Sequence, residues 1–325
     1  MRQEYKQGFL QSILDNYLDL GQIKKFFLYT SGYENSNYYI ETDVNIFVIK
    51  IFEGIGIRPE NILFELEVMD YCFQMSLKTP HILQNKAGKL ETVIGDKYSI
   101  VMGYIAGENM DQKILSDGLV VSVAEQAGKM DLLLKKFSDG SRTRQNYEWD
   151  LKNTLILENT LEYLPVGFDR GVLVDVFTEF KKCKNEFDNL PKGLIHNDIV
   201  PHNWLVSADN LQAIIDFSDM AFSPYIQNLA VSLHLTTFCY NWNPYQGKLF
   251  VGTYLKLNPL SSKELSFLYN LIKARFLSFV LEFNRWNVVY GSDDHRQQTV
   301  VDHYGFLKRF VEYGEDNFNK EVVGN

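Results

Sequence analysis

The strongest constraint on the fold lies in residues 194–220, LIHNDIVPHNWLVSADNLQAIIDFSDM. The apolar pair Leu194-Ile195 leads into His196-Asn197-Asp198. Asn203 follows five residues later, then Trp204-Leu205-Val206, a polar turn, and Ala213-Ile214-Ile215 ending at Asp216. Short apolar, β-rich runs bounded by polar clusters read as strands. The spacing therefore predicts a loop, a hairpin and a second loop. It sets one acid and one amide on the first loop and another acid at the end of the hairpin.

Phosphoryl transfer uses these groups. An Asp orients the attacking hydroxyl and receives its proton, while an Asn and a second Asp hold the magnesium ions that neutralise the triphosphate. Mg²⁺ takes hard oxygen ligands and keeps waters, so one or two carboxylates plus an amide oxygen suffice. Asp198 is thus the candidate catalytic residue, and Asn203 and Asp216 are the candidate metal ligands. Asp and Asn also cap turns between strands, which is the plain alternative. The pattern H-N-D-x-x-x-x-N followed by I-D-F-S resembles the catalytic and metal loops of the protein-kinase-like fold. It is most similar to the aminoglycoside phosphotransferase and choline kinase branch, which phosphorylates small molecules.

Composition narrows the class. A chain of 325 residues suits two lobes. A hydrophobic share of 46% leaves enough apolar surface for burial. The formal charge of −9 argues against a nucleic-acid partner, which needs a basic face. Cys72, Cys183 and Cys239 are widely spaced and form no C-x-x-C pair, so they give little support to a zinc or disulfide framework. No run of eighteen apolar residues appears, and the N-terminus lacks the apolar core of a signal peptide. The expectation is a soluble, cytoplasmic protein without a membrane partner.

Residues 4–20 carry apolar residues at helical spacing, with Gly21 as a stop. Strand, polar turn and strand follow through 25–42. The resemblance implies that this turn covers the nucleotide phosphates with backbone N–H groups. Its wording, G-Y-E-N-S-N-Y, is similar to the corresponding loop of type II homoserine kinases. Ser31, Gly32, Asn35, Ser36 and Asn37 are therefore expected at the nucleotide. Lys50 shares a strand face with Val48 and Phe52, an otherwise apolar setting that favours a dedicated role. The resemblance implies contact with the α- and β-phosphates. Residues 59–77 read as a helix, with Pro59 and Glu60 in its first turn. Glu65 shares its inward face with Val68, Met69 and Cys72, so it is the expected partner of Lys50, whereas Glu67 points to solvent.

Strand signals recur at 81–83, 91–94 and 98–102. The resemblance places the backbone around Met102 and Tyr104 at the adenine edge. Helices are expected at 118–138, 150–164, 171–189, 226–240 and 265–286. A capping box runs from Ser261 to Glu264, and a polar, peripheral helix is expected at 296–320. His196 is expected to bond within its loop, and His202 is assigned no chemistry. Asp219 is a candidate for a substrate ammonium group, and Arg275 for a bidentate carboxylate contact.

The expected fold is α+β and bilobal. Residues 1–102 form a nucleotide-binding lobe with an antiparallel sheet and one key helix. Residues 103–325 form a larger, mainly helical catalytic lobe. The expected activity is ATP- and Mg²⁺-dependent phosphorylation of a small amino alcohol or hydroxy amino acid, of homoserine type. Aminoglycoside, choline or hydroxylysine-type acceptors, or a catalytically weak nucleotide-binding module, are the alternatives. Three departures from the family pattern stand out. Asn197 replaces a small residue, Asn228 stands where these families generally carry Asp, and Trp204 is bulkier than usual.

Overall fold

Five antiparallel strands build the N-terminal sheet: β1 (Ile23–Leu28), β2 (Ser36–Thr42), β3 (Ile46–Ile51), β4 (Thr92–Ile94) and β5 (Lys97–Gly103). Their order is β1-β2-β3-β5-β4. In β2 full burial alternates with partial burial, the two-residue period of a sheet with one face on a core. Helix α1 (Gln7–Leu14) covers that face. Leu10, Ile13 and Leu14 pack with Ile23, Ile40, Ile49 and Val101. This computed structural model describes residues 3–30, 34–54, 57–165 and 167–324. Contacts divide the chain into two units, Met1–Glu108 with Gln212–Ser218, and Asn109–Leu211 with Asp219–Asn325.

Helix α1 is shorter than the spacing predicts. Beyond Leu14 the bonds tighten to Asn16 N–H on Ile13 O and Tyr17 N–H on Leu14 O, as Asp15 and Asn16 favour turns. Tyr17 stays buried although it has left the helix. Gly21 sits at φ +79°, and a Cβ there would meet Asp43 Oδ1 at 2.1 Å. The strand expected at 81–83 is a single bridge, Ile82 to Met102; Pro80 before it has no N–H to extend a ladder. Helix α2 (Pro59–Gln74) buries Glu65 and leaves Glu67 exposed.

The second unit is mainly helical. It holds α3 (Asp117–Leu134), α4 (Arg170–Asp188), β6 (Lys192–Ile195), β7 (Trp204–Ser207), the start of β8 (Asn210–Ile214), β9 (Ala221–Pro224), α5 (Tyr225–Thr237), α6 (Pro244–Leu257), α7 (Ser262–Leu265), α8 (Leu268–Tyr290), α9 (Asp294–Tyr313) and α10 (Glu315–Phe318). The α-helix expected near 150–164 is a 3-10 stretch, Leu151–Tyr163. Thr154 and Thr160 each bond back to the carbonyl three residues earlier, Leu151 O and Leu157 O, at 2.7 Å, which fits a three-residue period. The capping box at Ser261 and Glu264 is formed. No helix among the described residues is long and apolar enough to cross a membrane.

Helix α9 is not peripheral. Val300, His303, Leu307 and Phe310 are buried along one face, the i, i+3, i+7 stripe of a core-facing helix. Phe310 is fully buried among Phe238, Tyr269, Phe276 and Phe318.

A buried polar chain runs beneath the loop that follows β6. Asn197 N–H donates to Asn228 Oδ1 at 2.9 Å. Asn228 Nδ2 donates to Asp131 Oδ1 at 2.8 Å, and Tyr254 O–H donates to Asp131 Oδ2 at 2.5 Å. Asn258 Nδ2 closes the chain on the Tyr254 oxygen at 2.8 Å. Burial pushes the Asp131 carboxyl up to about 7, against the pull of the Tyr254 and Asn228 donors. Asn228 therefore keeps a bond to the loop backbone, and the acid stands one residue behind it.

Two outcomes follow from this packing. Phe310→Ala removes a fully enclosed ring and should cost about 3–5 kcal/mol; an unchanged melting temperature would show α9 to be dispensable. Asp131 holds a proton when folded that the unfolded chain releases near its ordinary 3.8. Its contribution to stability therefore falls as pH rises from about 4 to about 7. Asp131→Asn should flatten that part of the melting-temperature profile, and an unaltered slope would contradict it.

Candidate active site

In the first unit the site is an ion pair built across two elements. Lys50 lies in β3 between β2 and β5, and its side chain is buried. Its Nζ lies 2.7 Å from Glu65 Oε1 on α2 and 3.3 Å from Asp216 Oδ1. A buried ammonium needs such compensation. Burial alone would lower the lysine, but Asp216 and Glu65 reverse that and raise it. Burial likewise works to raise Asp216, yet Lys50 and the Ser218 donors bring its carboxyl down to about 2. Both groups are thus charged throughout the neutral range. Asp216 adopts φ +64°, a left-handed conformation that Asp tolerates better than most residues. Ser218 Oγ donates to Asp216 Oδ1 at 2.7 Å and steadies the turn.

In the second unit the site is the loop after β6. Asn203 Nδ2 donates to Asp198 Oδ2 at 2.6 Å and to Asp198 O at 3.0 Å. Arg275 Nη2 lies 3.1 Å from Asp198 Oδ1, and His202 Nε2 lies 3.4 Å from Oδ2. Burial would raise this carboxyl, but His202, Arg275 and His196 outweigh it and hold it below the usual carboxylate range. His196 is buried, and its Nδ1 accepts the Asp198 N–H at 3.3 Å. The Asn203 amide nitrogen faces Asp198, so its oxygen is turned away from that carboxylate.

Asn197 explains its own departure from the family pattern. It stands at φ +65°, where Asn is among the better-tolerated residues. Its side chain is bonded at every position: Gln227 Nε2 donates to Oδ1 at 2.8 Å, and Nδ2 donates to Trp149 O at 3.2 Å and Asp219 O at 3.1 Å. A smaller residue would leave three buried partners without it. Trp204 is fully buried, so its bulk fills the core under the loop.

Several expected contacts are placed differently. Arg275 is 2% exposed, with Nη1 on Trp149 O at 3.2 Å and its plane against the Trp149 and Phe279 rings. It holds Asp198 rather than facing a ligand carboxylate. Asp219 Oδ1 accepts from the Tyr147 hydroxyl. Ser36 Oγ is bonded to the backbone N–H and C=O of Gln3, each at 3.0 Å, and Asn35 Oδ1 accepts from Glu53 N–H at 3.2 Å. Both side chains thus bond to the backbone of neighbouring segments. Asn37 lies opposite Lys50 in the sheet. Met102 lies within β5 opposite Val48, and half-exposed Tyr104 follows the end of that strand. Ser31 and Gly32 lie outside the described residues.

Sequence reasoning missed Asp131, Trp149 and Gln227. Trp149 and Gln227 bond Asn197 directly, and Asp131 acts through Asn228, all from distant segments that no local pattern marks. His202 gave a signal that was passed over, because it directly precedes Asn203 and lies four residues after Asp198.

Comparison with known proteins identifies the family. The description "Phosphotransferase enzyme family" matches residues 28–259. The homoserine kinase of Methylobacillus flagellatus is 23% identical over 86% of this chain and 85% of its own length. That of Zymomonas mobilis is 25% identical over 84% of each. Among solved structures, an amicoumacin kinase in complex with AMP-PNP, Ca²⁺ and Ami superposes with a TM-score of 0.72 at 16% identity, over 96% of this chain and 94% of that one. A microcompartment-associated aminopropanol kinase gives 0.65 at 14% identity, over 96% and 99%. The chain belongs to the phosphotransferase enzyme family, and it is a small-molecule kinase with the protein-kinase-like fold.

Proposed function

We propose that the chain transfers the γ-phosphoryl group of ATP to the hydroxyl of a small amino alcohol or hydroxy amino acid, with homoserine-type acceptors favoured. The observation that carries this reading is the state of Asp198. It is an ionised carboxylate on a loop bonded from several sides, with Arg275, His202 and Asn203 fixing both oxygens. Such a group accepts a hydrogen bond from an acceptor hydroxyl and points the oxygen lone pair at phosphorus. As the new P–O bond forms and the bond to ADP breaks, the hydroxyl proton passes to Asp198. Its lowered pKa makes it a weak base, which suits a loose transition state in which the proton leaves late.

Lys50, held by Glu65, presents a fixed positive charge to the α- and β-phosphates. Asn203 and Asp216 offer an amide oxygen and a carboxylate, a donor set that suits Mg²⁺. When bound, the ion neutralises charge on the phosphate oxygens. The nucleotide analogue and divalent ion in the amicoumacin kinase structure support the same requirement here. The need for ATP supports a cytoplasmic location.

The homoserine kinases similar to this chain favour a hydroxy amino acid. A second reading, a carboxylate-free amino alcohol, is favoured by Arg275, whose guanidinium is occupied by Asp198 and Trp149. Coupled-assay ADP release with L-homoserine, 1-amino-2-propanol, choline, hydroxylysine and an aminoglycoside separates them. Turnover with the first two classes is expected. Tight Mg-ATP binding without turnover of any acceptor would instead indicate a nucleotide-binding module.

Asp198→Asn should lower kcat by about 10²- to 10⁴-fold with little change in ATP affinity. Lys50→Met should weaken ATP use through KM as well as kcat. Retention of full activity by either variant would remove that residue from the mechanism.

A further inference from the structure

The core of the second unit contains a set of metal-ligand side chains that the kinase chemistry does not use. His234 sits in the last turn of α5, Cys239 two residues beyond that helix, and His303 on α9. All three are buried, at 0%, 1% and 2% exposure. One ring nitrogen of each histidine and the thiol sulfur lie within 4.8 Å of one another.

The local bonding prepares these atoms as ligands. His303 Nδ1 lies 3.0 Å from Thr299 O. A carbonyl can only accept, so Nδ1 bears the hydrogen and Nε2 is left as a bare lone pair. That Nε2 is buried with no hydrogen-bond partner. Metal-bound histidines typically show this arrangement, with the far nitrogen tied to a carbonyl. The Phe279 ring stacks on His303 at 4.3 Å and 2°, which fixes the imidazole plane. His234 Nε2 lies 3.8 Å from Cys239 Sγ, and His234 Nδ1 is also buried without a partner. Zinc bonds of roughly 2.0 Å to nitrogen and 2.3 Å to sulfur at a tetrahedral angle put the two ligand atoms about 3.5 Å apart. The orphaned His303 Nε2 is otherwise hard to account for, because an unsatisfied buried polar atom costs about 1–3 kcal/mol. Burial also keeps both imidazoles neutral, the form that ligates.

We propose that His234, Cys239 and His303 form a structural site for a thiophilic d¹⁰ ion, Zn²⁺ or Cu⁺, that ties the end of α5 to α9. Two imidazoles and a thiolate suit both ions. Binding replaces the Cys239 S–H bond with a sulfur–metal bond and releases one proton to solvent. Burial pushes the Cys239 thiol well above its ordinary range, so the thiolate forms only as the ion binds.

The test uses the full, untagged chain. Elemental analysis after growth in zinc- or copper-supplemented medium should give about one ion per chain, and which metal is retained separates Zn²⁺ from Cu⁺. Stripped wild-type protein given Co²⁺ alone should develop thiolate-to-cobalt charge-transfer absorption, a readout that needs no variant. Cys239→Ala should lose both signals, while Cys72→Ala, which removes a buried thiol elsewhere, should keep them. Wild-type protein that retains no stoichiometric metal and shows no charge-transfer band would overturn the site. So would a band that survives in Cys239→Ala.

Discussion

Lys50 brings an ammonium group into the protein interior, and an ion taken out of water persists only where opposite charge meets it. Glu65 at 2.7 Å and Asp216 at 3.3 Å meet it. This requirement organises the first unit. It fixes the register of β3 against β2 and β5, the face that α2 turns inward, and the position at which the segment after β8 must end. The same rule governs the second unit with the signs exchanged. There the buried ion is the Asp198 carboxylate, and Arg275 supplies the compensating charge.

The loop after β6 is held by hydrogen bonds more than by its own conformational preference. Asn197 and Asp216 both adopt positive φ, a conformation that the surroundings must maintain. Around Asn197 the surroundings are Gln227, Asn228 and the backbone of Trp149 and Asp219. Asn228 stands where an acid is the family habit. The bond to the loop survives because its amide oxygen replaces a carboxylate oxygen, and Asp131 on α3 orients the amide from behind. Asn228 thus keeps the loop contact through its amide oxygen.

Arg275 shows how tertiary context reassigns a residue. On sequence grounds it is a scarce cation on a long helix, suited to a ligand carboxylate. In the fold it is enclosed by Trp149 and Phe279, and its two terminal nitrogens bond a backbone carbonyl and Asp198. Its effect on the loop therefore runs through the carboxylate it orients.

Local chemistry was enough to read much of this protein. The H-N-D-x-x-x-x-N and I-D-F-S motifs, the lone lysine of an apolar strand and the inward acid of the next helix depend on spacings of a few residues, and such spacings survive in the sequence. They single out the Lys50–Glu65 pair that the fold forms and the family to which the chain belongs, and they are the basis for proposing Asp198, Asn203 and Asp216 at the site. The tertiary structure alone decided which groups stand behind them. Asp131 and Asn228, Arg275 and Asp198, and His234 and His303 are separated by 97, 77 and 69 residues, taking the differences of their numbers. Contacts between segments so far apart in the chain are set by packing, and periodicity marks which face is buried but not which distant partner it meets.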